Sequence, residues 1–215
     1  RAWMHKGGAY EETAVLYRSN AQSRALEEAL LRVSIPYRIY GGLRFYERLE
    51  IKNAIAYLKI IFNNKDNPSF ERSISNPTRG VGEKTLGKIR QAAKKFNISY
   101  IKASAKLIDE GSIGGRGGAG LKDYLEFIIG CKQFIEDNTL SELMELIIKE
   151  SGLYAYHAKE AGEKGKTRTE NLEELITATK NFEQSIKDEK TNEEIAESYL
   201  DVISLDSGDR QASEH

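Results

Sequence analysis

Residues 76–89 of the chain read Asn-Pro-Thr-Arg-Gly-Val-Gly-Glu-Lys-Thr-Leu-Gly-Lys-Ile, a glycine-rich turn followed at once by a basic, helix-forming segment. Two glycines around one apolar residue permit a backbone with positive φ and the close approach of another molecule. The helix predicted over residues 84–95 leaves amide N–H groups unpaired in its first turn and carries the positive end of its dipole there. The stretch therefore predicts an anion site, and a phosphodiester is the anion that we expect.

Positive charge is concentrated around this turn. Between Pro77 and Asn97 six basic side chains accompany the single carboxylate of Glu83, whereas the whole chain has a formal net charge of −1. The basic residues are Arg79, Lys84, Lys88, Arg90, Lys94 and Lys95. Such a cluster indicates contact with nucleic acid. The alternative is that the glycines only turn the chain and the lysines solvate one helix face.

Length and composition exclude several classes of protein. The 215 residues allow one domain, or one domain and part of another. No apolar run approaches the roughly 20 residues that span a bilayer, and the chain opens on Arg1, which predicts a segment of a longer protein. The single cysteine, Cys131, suits a reducing cytoplasm and is predicted to be a packed thiol. The histidines are too dispersed to predict a metal site: His5, His157 and His215.

The first forty residues predict a small β-α-β piece. An apolar run at residues 14–19 is typical of a buried strand, and Tyr37–Tyr40 predict a second one. Between them, one helix face carries Leu26, Ala29, Leu30 and Val33. Because two strands cannot bury a core, we expect their sheet neighbours to lie outside this sequence.

The rest of the chain predicts helices and no strand. Apolar periodicity marks helices near residues 51–62, 100–108 and 121–135, and a last one from Asn192. Ser69 is predicted to cap a short helix that carries Phe70 and Ile74. Two capping boxes, Thr139-x-x-Glu142 and Thr167-x-x-Glu170, are each predicted to open a further helix.

A glycine-rich stretch, Gly111–Gly120, interrupts these helices. Its six glycines predict a linker or turn, because glycine is unfavourable inside a helix. A second turn that binds phosphate through its backbone is the alternative. The tail from Ile186 carries nine carboxylates against three basic residues, so we expect it to avoid phosphate.

Catalytic chemistry is not apparent. Residues 80–85 differ from the phosphate loop G-x-x-x-x-G-K-[ST], because Glu83 precedes Lys84 and no apolar strand leads into the turn. Asp109-Glu110 and Asp188-Glu189 follow no apolar strand, so neither resembles an acidic box that holds Mg²⁺. No nucleophile lies at a suitable spacing from a base. We therefore expect no catalytic residue, no cofactor and no ATP hydrolysis in this chain.

Several blocks of the sequence resemble the UvrD/PcrA/Rep helicases of superfamily 1. The blocks are residues 14–24, 36–48, 50–52 and 77–85, while 162–168 and 170–174 most resemble the bacterial UvrD (DNA helicase II) branch. The resemblance implies that residues 1–40 are the end of a partial RecA-like 2A domain. Residues 41–215 would be the mainly α-helical 2B domain, whose Gly-Val-Gly turn is of the helix-hairpin-helix type. The ATPase motifs, with their ATP and Mg²⁺, would lie elsewhere in the parent helicase.

The resemblance also implies site residues. Arg18 and Asn20 correspond to positions that contact single-stranded DNA. Positions that meet duplex phosphates correspond to Gly80, Val81, Gly82, Thr85 and Lys52, to which charge and proximity add Arg79 and Lys84. Gly41 and Gly42 form the expected hinge between the two parts.

The function that this implies is duplex-DNA binding and regulation within an ATP-dependent 3′→5′ helicase of nucleotide excision and mismatch repair. Its expected location is the cytoplasm, at the nucleoid, with DNA junctions and repair proteins as partners. One alternative is a protein-interaction module. Another is a helix-hairpin-helix DNA glycosylase with Lys84 as its nucleophile, although Ala103 is near the position where such an enzyme needs a carboxylate and Asp109 lies farther on.

Overall fold

The described part of the protein is helical. A computed structural model describes residues 9–10, 13–17, 22–37, 39, 44–186 and 190–208, and no strand occurs among them. None of the described helices is long and apolar enough to cross a bilayer. These helices are α1 (Ser23–Arg32), α2 (Leu49–Phe62), α3 (Asn67–Ser75), α4 (Glu83–Phe96), α5 (Tyr100–Asp109), α6 (Gly115–Asp137), α7 (Leu140–Glu150), α8 (Leu153–Ala158), α9 (Glu163–Ser185) and α10 (Asn192–Gly208). A 3₁₀ turn at Phe45–Glu47 precedes α2.

Helix α2 is the centre of the helical body, by which we mean α2 to α10. It packs against α3, α6, α7 and α9. Its buried apolar residues occur on more than one side, as Ile51, Leu58 and Ile60 illustrate. A helix that buries apolar residues on several sides belongs largely in the interior of a protein, although Lys52 in its first turn is exposed.

An aromatic cluster ties α2, α3 and α6 together. The ring of Phe70 in α3 meets that of Tyr124 in α6 edge-on, with 5.5 Å between centroids. The hydroxyl of Tyr57 in α2 lies 2.7 Å from the Ser73 carbonyl and 2.8 Å from the Asn76 carbonyl. These bonds hold the end of α3 against the core, and the candidate site begins directly after it.

Most predicted helices are confirmed. Helix α2 ends at Phe62, α5 spans Tyr100–Asp109, and α10 starts at Asn192. The capping box at the start of α7 is also present, with the Thr139 N–H donating to the Glu142 carboxylate over 2.8 Å. Cys131 is buried as predicted, and burial raises the pKa of its thiol to about 12.

Two predicted helix caps are wrong. Asp66, not Ser69, caps α3, because its carboxylate accepts the Ser69 N–H over 3.0 Å and Pro68 suits the first helical turn. The second capping box fails because α9 begins four residues before Thr167, directly after Gly162, whose φ is 72°. Gly165 then packs so closely that a β-carbon there would lie 2.3 Å from the Glu160 carbonyl.

The glycine-rich stretch is not a linker. Its second half, from Gly115 onward, forms the first turns of α6. Each helical glycine costs about 1 kcal/mol relative to alanine, so local preference opposes this helix. Tertiary contacts described below explain why larger residues would not fit.

The N-terminal strands are not shown. Residues 13–17, 37 and 39 form no strand, and the remaining residues of both predicted strands lie outside the described part. The intervening helix is confirmed as α1. It buries Ser23, Arg24 and Glu27 and leaves its predicted apolar face partly exposed. A strand needs neighbours for its hydrogen bonds, and this chain supplies none over the described residues.

Candidate nucleic-acid interface

The glycine turn, Gly80–Gly82, lies directly before α4. Gly80 is exposed and has φ of 74°, a conformation that strongly favours glycine. Gly82 is exposed too and is the N-cap of α4, with an extended backbone. Its carbonyl accepts the N–H of Thr85 over 2.9 Å, which closes the first turn. Exposed glycine backbone therefore leads directly into a helix N-terminus.

Val81 faces the opposite way from its two neighbours. Its side chain is half-buried and packs against the apolar core, whereas both glycines are exposed. An apolar anchor between two bare backbone units fixes the turn without covering it. The sequence pattern glycine–apolar–glycine thus has a direct structural meaning at this position.

Arg79 points into the protein. Its guanidinium donates to the carbonyls of Pro77 at 2.9 Å and Ser151 at 2.8 Å. The same group lies over the rings of Tyr57 and Tyr124, at 5.5 and 5.6 Å from their centroids. Arg79 therefore joins the turn to the loop that precedes α8 and to the aromatic cluster. Its charge is directed toward the protein interior.

Two further members of the basic cluster are engaged within the protein. Arg90 pairs with Glu71 at 2.6 Å and also with Glu83. The hydrogen bond to Arg90 holds the pKa of Glu71 below its ordinary value. Lys88 donates to the Ser112 carbonyl over 2.7 Å. The charge available at the turn is therefore smaller than the sequence count indicates.

The exposed cation nearest the turn in sequence is Lys84, in the first turn of α4. Thr85 is half-buried beside it. Lys52 is exposed as well, but it belongs to the first turn of α2. The structure thus brings the two glycines, Lys84 and Thr85 to one place and puts Lys52 on a different helix.

Helix α6 lies directly behind the turn. A β-carbon on Gly120 would lie 1.9 Å from the Arg79 carbonyl, and one on Gly117 would lie 3.1 Å from the Gly80 carbonyl. The Gly117 position is also 3.4 Å from the Thr85 hydroxyl. The side chain of Arg116 lies against one side of Gly80, since a β-carbon on Gly80 would be 3.0 Å from the Arg116 Cγ. Sequence reasoning missed this arrangement, because glycines spaced for close packing cannot be told from glycines in a linker.

Four sequence-predicted residues lie outside the described part of the chain. They are Arg18 and Asn20, expected at single-stranded DNA, and Gly41 and Gly42, expected at the hinge.

The match to known proteins includes the same stretch of sequence. Residues 1–111, which include the whole glycine turn, match the sequence model described as UvrD-like helicase C-terminal domain. The chain belongs to this family. As a UvrD-like segment, it is 44% identical over 212 residues to DNA helicase II of Escherichia coli strain K12. It is 38% identical over 181 residues to the ATP-dependent DNA helicase PcrA of Leuconostoc citreum.

The UvrD-like match covers the chain much more fully than it covers those helicases. The alignment with DNA helicase II includes 99% of this chain but 29% of the Escherichia coli protein. The alignment with PcrA includes 84% of the chain and 24% of the Leuconostoc protein. The alignment with DNA helicase II extends over the helices beyond the family model, so α6 lies within the aligned region.

Proposed function

We propose that this chain is a duplex-DNA-binding and regulatory segment of an ATP-dependent 3′→5′ DNA helicase. The observation that carries the proposal is the glycine turn, whose two exposed glycines lead into α4. Val81 between them packs against the apolar core and holds the turn in place. Backbone N–H groups and a helix N-terminus bind phosphate oxygens without reading bases. Binding should therefore be independent of DNA sequence.

The contact residues that we propose are the backbone of Gly80, Val81 and Gly82, with Lys84 and Thr85 beside them. Lys52 is proposed as a separate contact on α2. Arg79 takes a different role from the one that its charge predicts: it holds the turn in place through the Pro77 and Ser151 carbonyls. Lys84 and Arg116 are exposed cations beside the turn. Each phosphate that such a cation neutralises should contribute about −0.9 to the log–log slope of affinity against salt.

In the parent helicase, residues 1–40 would be the end of a RecA-like 2A domain and residues 41–215 a 2B domain. ATP and Mg²⁺ would bind elsewhere in that protein, and Arg18 and Asn20 would contact the single strand. Apolar residues before α1 are exposed, including Leu16 at 95%. This supports the proposal that another part of the parent helicase packs against the segment before α1. We further propose nucleotide excision and mismatch repair as the setting, with DNA junctions and repair proteins as partners.

The regulatory part of the proposal concerns the junction at Gly41-Gly42. The contact between α1 and the helical body is made largely by polar groups, among them the Arg24–Glu174 ion pair at 2.6 Å. Glu28 of α1 and Glu174 of α9 are both half-buried and both pair with Arg24. A bifunctional maleimide joining cysteines at positions 28 and 174 in the parent helicase should change its unwinding rate. Buried Cys131 should not react. An unchanged rate in the fully crosslinked enzyme would remove the regulatory role.

Fluorescence anisotropy with duplex and single-stranded DNA tests phosphate binding, at low and moderate salt. Gly82→Asp is the informative variant, because aspartate is a favourable N-cap and should leave α4 at least as stable. Its carboxylate would occupy the place proposed for a phosphate, so duplex binding should be lost in a folded protein. Thr85→Ala should weaken binding without adding charge.

Gly87→Asp is the matched control for charge. Gly87 lies in α4, and a β-carbon there would meet nothing within 4 Å. The variant adds the same charge about one and a half helical turns from position 82. It should therefore retain most of the affinity for duplex DNA. Equal losses in the two aspartate variants would mean that the turn itself binds nothing. Absence of duplex binding by the unsubstituted chain at every salt concentration would refute the proposal and favour a protein-interaction surface.

A further inference from the structure

The first turns of α6 approach the glycine turn more closely than any side chain would allow. The Arg79 carbonyl occupies space that a β-carbon on Gly120 would need, at 1.9 Å. A β-carbon on Gly117 would lie 3.1 Å from the Gly80 carbonyl, a milder conflict that a shift of a few tenths of an ångström would relieve. We call Gly117 and Gly120 the glycine notch. Because the obstructing atoms are backbone carbonyls, neither of them can rotate away as a flexible side chain would.

The notch touches residues on both sides of the turn. Gly120 lies against Arg79, which precedes the exposed glycines, and Gly117 lies against both Gly80 and Thr85. Two of these three residues, Gly80 and Thr85, belong to the proposed phosphate contact. Helix α6 is itself fixed to the core through Tyr124, whose hydroxyl is 2.7 Å from that of Ser73. A continuous set of contacts therefore runs from the core through α6 to the turn.

We infer that Gly117 and Gly120 are positioning residues for phosphate binding. They seat the Arg79–Gly80 backbone against α6 and so set where the exposed amides of the turn lie. This role rests on the phosphate contact proposed above. It also accounts for glycine in the first turns of a helix, where alanine would be favoured by local propensity.

The sequence offers a matched control on the same helix. Gly130 is also in α6, and a β-carbon there would meet nothing within 4 Å. Gly→Ala at positions 117, 120 and 130 therefore makes one chemical change in three surroundings. If only helix propensity mattered, all three variants would behave alike.

The experiment is duplex-DNA binding by anisotropy over a range of salt, with thermal melting of each variant. Gly120→Ala should bind about tenfold more weakly, the equivalent of one lost charge-assisted hydrogen bond. Gly117→Ala should show a smaller loss, because its contact is longer, and Gly130→Ala should bind as the unsubstituted chain does. A displaced turn also shifts the first turn of α4 and moves exposed Lys84 from its phosphate, so the salt slope of Gly120→Ala should become shallower. Partial unfolding would lower the active fraction and leave that slope unchanged.

A double substitution distinguishes action through the turn from a general effect. Gly120→Ala should add less than its own loss to Thr85→Ala, since both act on the same contact. If Gly120→Ala does not fold, Gly117→Ala carries the same comparison against Gly130→Ala. Unchanged affinity and slope in a folded notch variant, with normal binding by the unsubstituted chain, would overturn the positioning role alone. Failure of the unsubstituted chain to bind duplex would overturn the proposed function as well.

Discussion

The helical body and the contact between α1 and that body are held together by different chemistry. Within the body, α2, α3 and α6 meet through buried aromatic and aliphatic side chains such as Phe70 and Tyr124. Helix α1 instead buries Ser23, Arg24 and Glu27. Apolar burial strongly stabilises one arrangement, whereas polar contacts recover little more than their desolvation cost. The comparison indicates a rigid body joined to an adjustable N-terminal helix.

A hydrogen-bonded network connects the two regions. Arg48 donates to Ser23 of α1 at 2.7 Å and to Asn171 of α9 at 2.8 Å. Asn171 in turn donates to Glu50 of α2 at 2.6 Å. Burial lowers the pKa of Arg48. Arg48 is therefore a buried polar group that both regions share. Substitutions can test how much it stabilises the body and how much it stabilises the contact with α1.

The largest effect is expected from the core of the body. Phe70→Ala should lower the free energy of unfolding by about 3–5 kcal/mol, because it removes a fully buried ring and leaves a cavity. Urea unfolding followed by circular dichroism measures this. Phe96→Ala is the matched control: Phe96 is 44% exposed, and its truncation should cost below about 1 kcal/mol. Similar losses in the two variants would contradict the packing described for the body.

Removal of the shared polar group should have the next largest effect. Arg48→Ala is expected to cost about 3 kcal/mol, since it leaves buried hydrogen-bonding partners unsatisfied in both regions. Lys122→Ala serves as the control, because Lys122 and its ion-pair partner Glu126 are both exposed and lie 3.8 Å apart. The same urea experiment compares them, and equal stability of both variants would show that the network does not support the fold.

The contact between α1 and the body should be less stable than the packing within the body. In a double-mutant cycle, Arg24→Ala and Glu174→Ala should show a coupling of about 1 kcal/mol. Native-state hydrogen exchange should show faster exchange of α1 amides in Arg24→Ala, with α2 amides unchanged. Equal acceleration in both helices would mean that α1 and the body unfold as one unit.

The smallest effect concerns pH. The hydrogen bond from His157 lowers the pKa of Glu160 below its ordinary value of 4.5, and a hydrogen bond from Arg168 adds to this. A carboxylate with a depressed folded pKa contributes stability above the unfolded value, and that contribution is lost as pH falls through the folded pKa. Melting temperature should therefore drop below pH 4.5, and the drop should be smaller in Glu160→Gln. An identical profile in the variant would assign the acid sensitivity to other groups.

Sequence patterns were reliable where local chemistry decides structure. Apolar periodicity predicted α1, α2 and α5, and the pair Thr139–Glu142 predicted the start of α7. These features depend on residues three or four positions apart, so a linear sequence contains them completely. The two predicted strands are not formed over described residues 13–17, 37 and 39, since a strand also needs partners from other segments.

The sequence by itself determined the helical class, most helix starts, the glycine turn as a candidate phosphate site and membership of the helicase family. Tertiary structure alone decided that Arg79 points inward and that Gly115–Gly120 belong to α6. The physical reason is distance along the chain. Arg79 donates to a carbonyl 72 residues away, and Gly120 must be small because the Arg79 carbonyl packs against it. Neither partner can be read from the neighbouring residues.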